Sequence, residues 1–113
     1  MSAAALETID RLVAESPDAD DVLRGTVSAL VAEPGIVWAG IGFAEGDDVA
    51  LGPVAGHPDD ARRTRVPIAF QGAIVGELWV DGEPDTPFLE RVVTRIAPQV
   101  LIGWDTGGEA WEA

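Results

Sequence analysis

An α+β fold is predicted for this chain: an antiparallel sheet of about four to five strands, with the N- and C-terminal helices packed on one of its faces. Three observations carry the prediction. Apolar residues recur at helical spacing near both ends of the 113 residues. The middle alternates with a period of two in short runs. Turn signals join those runs pairwise, so strands neighbour each other without an intervening helix.

Residues 4–15 read as a helix with Leu6, Ile9, Leu12 and Val13 on one face. Ser16 then offers a cap and Pro17 a first turn for a second helix, with Asp18, Asp20 and Asp21 favouring its positive N-terminus. That helix runs to about Glu33 and buries Val22, Leu23, Thr26, Val27, Leu30 and Val31. Pro34-Gly35 ends it. Ile36 to Phe43 is a strand, Glu45 to Asp48 a turn, and Val49 to Val54 a weaker strand. Residues 55–62 form a polar loop. A second hairpin follows, turning at Gln71-Gly72. Thr86-Pro87 caps and starts the last helix, which buries Phe88, Leu89, Val92, Val93, Ile96, Ala97, Val100 and Leu101 and is expected to kink at Pro98. The whole reads as a single domain over 1–113, with irregular tails at 1–3 and 105–113. Trp104 and Trp111 flank a glycine-rich stretch that could pin the tail to the body or to a second subunit.

The charge narrows the partners. Twenty acids stand against seven arginines, with no lysine, for a net −13. Such acidity opposes binding to nucleic acid or to an anionic membrane and favours cationic partners. It also suits a genome that prefers arginine codons, or a salty cytoplasm, and is not in itself a function. There is no cysteine, which excludes disulfides, thiolate metal sites and a cysteine nucleophile. No apolar run reaches the ~18 residues of a membrane span, and no signal-peptide pattern opens the chain. A cytoplasmic protein is expected.

Val66-Pro67-Ile68, then Gly72, then Ile74-Val75-Gly76-Glu77-Leu78-Trp79-Val80, an acidic turn with Phe88, and Ile96-Ala97-Pro98-Gln99-Val100 together resemble the C-terminal half of a GAF domain. The order helix, helix, hairpin, hairpin, helix extends the resemblance over roughly 4–104. PAS and roadblock domains share short sheets of this size, but PAS helices sit mainly between strands. The resemblance implies a sensory or regulatory module. It also marks departures. The Val54–Arg63 connection is too short for the inserted helices that roof a cyclic-nucleotide or tetrapyrrole pocket. The Asn-Lys-Phe-Asp-Glu signature of the cyclic-nucleotide branch is missing, and so are the paired cysteines of the methionine sulfoxide reductase branch.

Alternation sorts the strands into two faces. Val37, Ala39, Ile41, Phe43, Val66, Ile68, Phe70, Ile74, Leu78 and Val80 form an apolar set assigned to the helix-packed core. Trp38, Gly40, Gly42, Arg63, Arg65, Pro67, Ala73, Val75, Glu77 and Trp79 form a mixed set, which in a GAF domain would floor the ligand pocket. Trp38, Arg63, Arg65, Glu77 and Trp79 are therefore the candidate ligand-binding residues: the tryptophans would stack, and the arginines would hold a carboxylate or phosphate. The same face could instead be a dimer interface, with Arg63 and Arg65 paired to Glu77 across the strands. His57, the lone histidine, lies in a loop without the further ligands of a metal site. No nucleophile and base are spaced for catalysis, so the sequence reads as non-enzymatic, with no cofactor. The expected role is a regulatory module that binds a small ligand or a protein partner, as a homodimer. The alternative is a structural homodimerisation module without a ligand.

Overall fold

The computed structural model describes residues 3–16 and 18–105, the side chains of 103–105 excepted. Helix α1 spans Ala3–Glu15 and α2 spans Ala19–Val31. Strands β1 (Ile36–Glu45) and β2 (Asp48–Gly56) form a hairpin. A short 3-10 turn, Asp60–Arg62, leads into β3 (Arg63–Phe70) and β4 (Ala73–Gly82), and α3 (Thr86–Asp105) follows. The strands make one antiparallel sheet in the order β2-β1-β4-β3, so the hairpins are joined through β1 and β4. The two edge strands each contain a proline, Pro53 and Pro67, which cannot donate to a further strand. The turn between β3 and β4 places both Gln71 (φ 52) and Gly72 (φ 83) in the left-handed region. That is the two-residue turn whose twist suits a hairpin.

The helices lie on one face of this sheet. α2 covers β1 and β2, α3 covers β3 and β4, and α1 packs on α2 and α3. The core between them includes Ile9, Leu23, Val27, Leu30, Ile41, Phe43, Ile68, Leu78, Phe88, Leu89, Val92 and Ile96. Thr26 is the polar member of the α2 stripe, and its buried hydroxyl donates to the Val22 carbonyl at 2.7 Å. Arg95 of α3 pairs with Asp10 of α1 at 2.8 Å, a partly exposed link between the helices.

Some boundaries and burials differ from expectation. Asp18, not Ser16, takes the N-cap position of α2, and Ser16 instead closes α1 by donating its N–H to the Leu12 carbonyl. The expectations for Pro17, the Trp104 side chain, Trp111 and the segments 1–2 and 106–113 lie outside the described residues. Helix α1 begins at Ala3, and α3 runs through Pro98 to Asp105. β2 extends to Gly56, so the expected polar loop is shortened at its start.

Three residues assigned to the core are exposed: Val37 (38%), Ile74 (56%) and Leu101 (38%). Two of them trace to β-bulges. Opposite β4, Ile36 pairs with Gly82 and Trp38 with Asp81, so Val37 is an extra residue that breaks the alternation and lets Ile36 turn inward. On β4, Val75 is extra between Ile74 and Gly76, and it packs against the core in place of Ile74. Leu101 follows Val100, whose side chain faces Gly76, and turns away from the sheet.

Candidate functional site

The face of the sheet opposite the helices carries an ordered stack of side chains. Strand pairing lines up Gly56, Trp38, Asp81 and Arg63 across β2, β1, β4 and β3, and lines up Val54, Gly40, Trp79 and Arg65 beside them. Trp38 is only 5% exposed, yet it is not part of the helix-packed core. Its ring lies over Gly40, where a Cβ would come within 2.7 Å of the indole. Glycine at 40 is therefore required for this close approach. Gly42, another member of the mixed set, is covered by Val49.

The arginine side chains stack on the indoles. The Arg63 guanidinium carbon lies 4.5 Å from the Trp38 ring centre and 5.3 Å from that of Trp79. Arg65 lies over Trp79 at 4.3 Å. Cation–π contacts of this kind are worth ~0.5–2 kcal/mol, the larger figure for desolvated pairs. The Trp79 indole N–H donates to Glu77 at 2.7 Å, which fixes the ring orientation.

Asp81 organises the stack. Its carboxylate is completely buried. Arg63 Nε donates to Oδ1 at 2.8 Å and Nη2 donates to Oδ2 at 2.9 Å. The backbone N–H of Asp59 also donates to Oδ2, at 2.7 Å. These donors hold the Asp81 carboxyl below the usual carboxylate range: the Arg63 hydrogen bonds are the largest influence, and they outweigh the burial that opposes ionisation. The same hydrogen bonding raises the Arg63 guanidinium above its ordinary value. A carboxylate with three such donors and no buried side-chain polar atom left unpartnered nearby is a completed pair.

All five expected site residues thus lie on the open face, but their pairing differs from expectation. Arg63 and Arg65 do not pair with Glu77: Arg63 is bound to Asp81, and Glu77 to Trp79. Arg65 is exposed and, among the described residues, makes no ion pair. Asp81 is the residue the sequence reading missed. The signal was present, because Glu77, Trp79 and Asp81 alternate onto one face of β4.

Beside the stack, on the β2 side, is an open depression of about 570 Å³, lined by Trp38, Leu51, Val54, Ala55, Gly56, Pro58 and Arg63. The segment after β2 forms its rim. It is tied down by the His57 N–H to the Val37 carbonyl at 2.9 Å, by the Asp59 N–H to Asp81, and by an exposed Arg62–Asp59 pair at 3.0 Å. The His57 side chain is exposed, and no group of three His, Cys, Asp or Glu able to hold a metal occurs among the described residues.

No protein-family profile matches the sequence, and no curated protein matches it. Solved structures do. The GAF domain from Acinetobacter phosphoenolpyruvate-protein phosphotransferase superposes with a TM-score of 0.69 at 13% identity, covering 95% of this chain and 99% of that one. Free methionine-R-sulfoxide reductase from Neisseria meningitidis, in complex with its substrate, gives 0.70 at 16% identity, covering 88% and 89%. The fRMsr of Staphylococcus aureus, also in complex with substrate, gives 0.69 at 19% identity, covering 86% and 94%. The fold is therefore GAF-like: an α+β domain with a single antiparallel sheet, as the sequence resemblance implied. One expectation is corrected by these neighbours. The side-chain inventory predicts a non-enzymatic protein, but free methionine-R-sulfoxide reductases with bound substrate share the fold, so the fold does not support that expectation. No described helix is long and apolar enough to cross a membrane.

Proposed function

We propose that the protein is a cytoplasmic regulatory module that senses a small molecule on the open face of its sheet. Trp38 and Arg63 form the floor of the site, and Trp79, Arg65 and Glu77 its flank. The observation that carries this reading is the concave depression against the Trp38–Arg63 stack, on the face left free by all three helices. Its volume of about 570 Å³ lies within the ~300–1,000 Å³ of small-molecule sites. Arg63 is already bound to Asp81, so it meets a ligand as a charge compensated from behind. The GAF-like fold supports the reading by analogy of architecture alone.

Amide chemical-shift mapping during a fragment titration tests it. Binders should move the signals of Val54, Ala55, Gly56 and Arg63 and the Trp38 indole. Shifts confined to the helices would overturn it.

A second reading, a homodimerisation module, is favoured by the adjacent exposed residues Leu101 and Ile102 at the end of α3. Light scattering at micromolar concentration separates the two. A mass that stays near 11.8 kDa removes the dimer.

A further inference from the structure

The depression holds one ionisable side chain, Arg63, and that charge is compensated from behind. Its other lining residues are apolar or glycine. Asp81 holds Arg63 through both carboxylate oxygens, at 2.8 and 2.9 Å, and is itself fully buried, so solvent does not screen it and a ligand cannot reach it. An anion placed against the guanidinium would feel this opposite charge just beyond it. A counter-charge about twice as far away cancels about half of the attraction at any fixed dielectric. The anion would also shed water against apolar walls and approach a chain of net charge −13. Arg65, which has no carboxylate partner among the described residues, is not part of the lining.

Given that this depression is the ligand site, we infer that it selects a small uncharged molecule with a largely apolar surface and one hydrogen-bond acceptor. The walls of Leu51, Val54 and Pro58 take the apolar body. Arg63 Nη1, which makes no hydrogen bond among the described residues, donates to the acceptor. Asp81 is the specificity-determining residue. It never touches the ligand, but it neutralises the cation that does. It also holds the rim through the Asp59 N–H, so charge and shape are set by the same carboxylate. A cation fares no better than an anion, because the member of the pair that faces the ligand is the guanidinium, while the carboxylate is out of reach behind it.

Three probes of one shape and different charge test this: benzamide, benzoate and benzylamine, each titrated while the Gly56 amide and the Trp38 indole N–H are followed by NMR. Benzamide should bind tightest, with benzoate and benzylamine at least about tenfold weaker. In Asp81→Asn the order of the first two should reverse, with benzoate gaining about a hundredfold on benzamide and overtaking it. In the double variant Arg63→Gln, Asp81→Asn, which removes both charges, benzamide should lead again. If Asp81→Asn does not fold, the wild-type series decides alone. Benzoate binding tightest to the wild type, or an unchanged order in a folded Asp81→Asn protein, overturns the inference. Equal affinities for all three at these signals also overturn the charge selection, while leaving the depression as a ligand site. If no probe moves these signals, the site reading falls and the inference with it.

Discussion

Arg63 and Asp81 face each other across β3 and β4 as a two-pronged ion pair, in which the acid is fully buried and the base side chain is 19% exposed. That asymmetry makes the two halves unequal to lose. Arg63→Ala strands a buried carboxylate with one backbone donor, and should cost about 3–5 kcal/mol. Asp81→Asn leaves a guanidinium that still reaches water, and should cost less, about 1–3 kcal/mol. Urea unfolding of both variants checks the order. Equal losses would mean that Asp81 is better hydrated than its burial indicates.

The pair also sets an acid limit. The carboxyl of Asp81 is depressed in the folded state relative to its ordinary 3.8. Its contribution to stability is therefore complete above that value and is lost as pH falls through it towards the folded value. Wild-type stability should decline below about pH 4 more steeply than that of Asp81→Asn, as thermal melts between pH 6 and pH 2.5 would show. Parallel declines would contradict the assignment.

The two tryptophans of the face should behave differently. Trp38 is buried over Gly40 and beneath Arg63, so Trp38→Ala should destabilise by about 3–5 kcal/mol. Trp79 is partly exposed, so Trp79→Ala should cost clearly less while weakening ligand binding. Denaturant midpoints of the two variants measure the difference. Equal losses would make Trp79 a core residue.

Arg65 is exposed and without a carboxylate partner among the described residues, so Arg65→Ala should change stability by less than about 1 kcal/mol. Arg65→Lys should be equally stable, but it would lose the flat stack on Trp79 and shift the Trp79 indole N–H signal. An indole spectrum identical to wild type would show that the stack does not form in solution.

Much of this was legible in the sequence because period and turn chemistry act locally. Ile9, Leu23, Val27 and Leu30 announce their helices by spacing, and Gln71-Gly72 announces its turn. The open face was also legible, down to Trp38 and Trp79 on the same side. The bulges at Val37 and Val75 were not. A single extra residue changes no local propensity: Val37 is fixed only when β1 and β4 pair across some forty positions of chain, and Val75 only when β4 takes its register on β3. The partners on the face were lost for the same reason. Arg63 could meet either Glu77 or Asp81 by parity, and only the register of β3 on β4, which sets Arg63 opposite Asp81, chooses between them.

The central claim is that the open face of the sheet receives a small molecule. A crystal structure of the protein grown with its tightest-binding fragment tests this most directly. The account predicts density in the depression between Pro58 and Trp38, in contact with Arg63, and the Arg63–Asp81 pair intact. Ordered fragment on the helix layer, with that depression left to solvent, would contradict it.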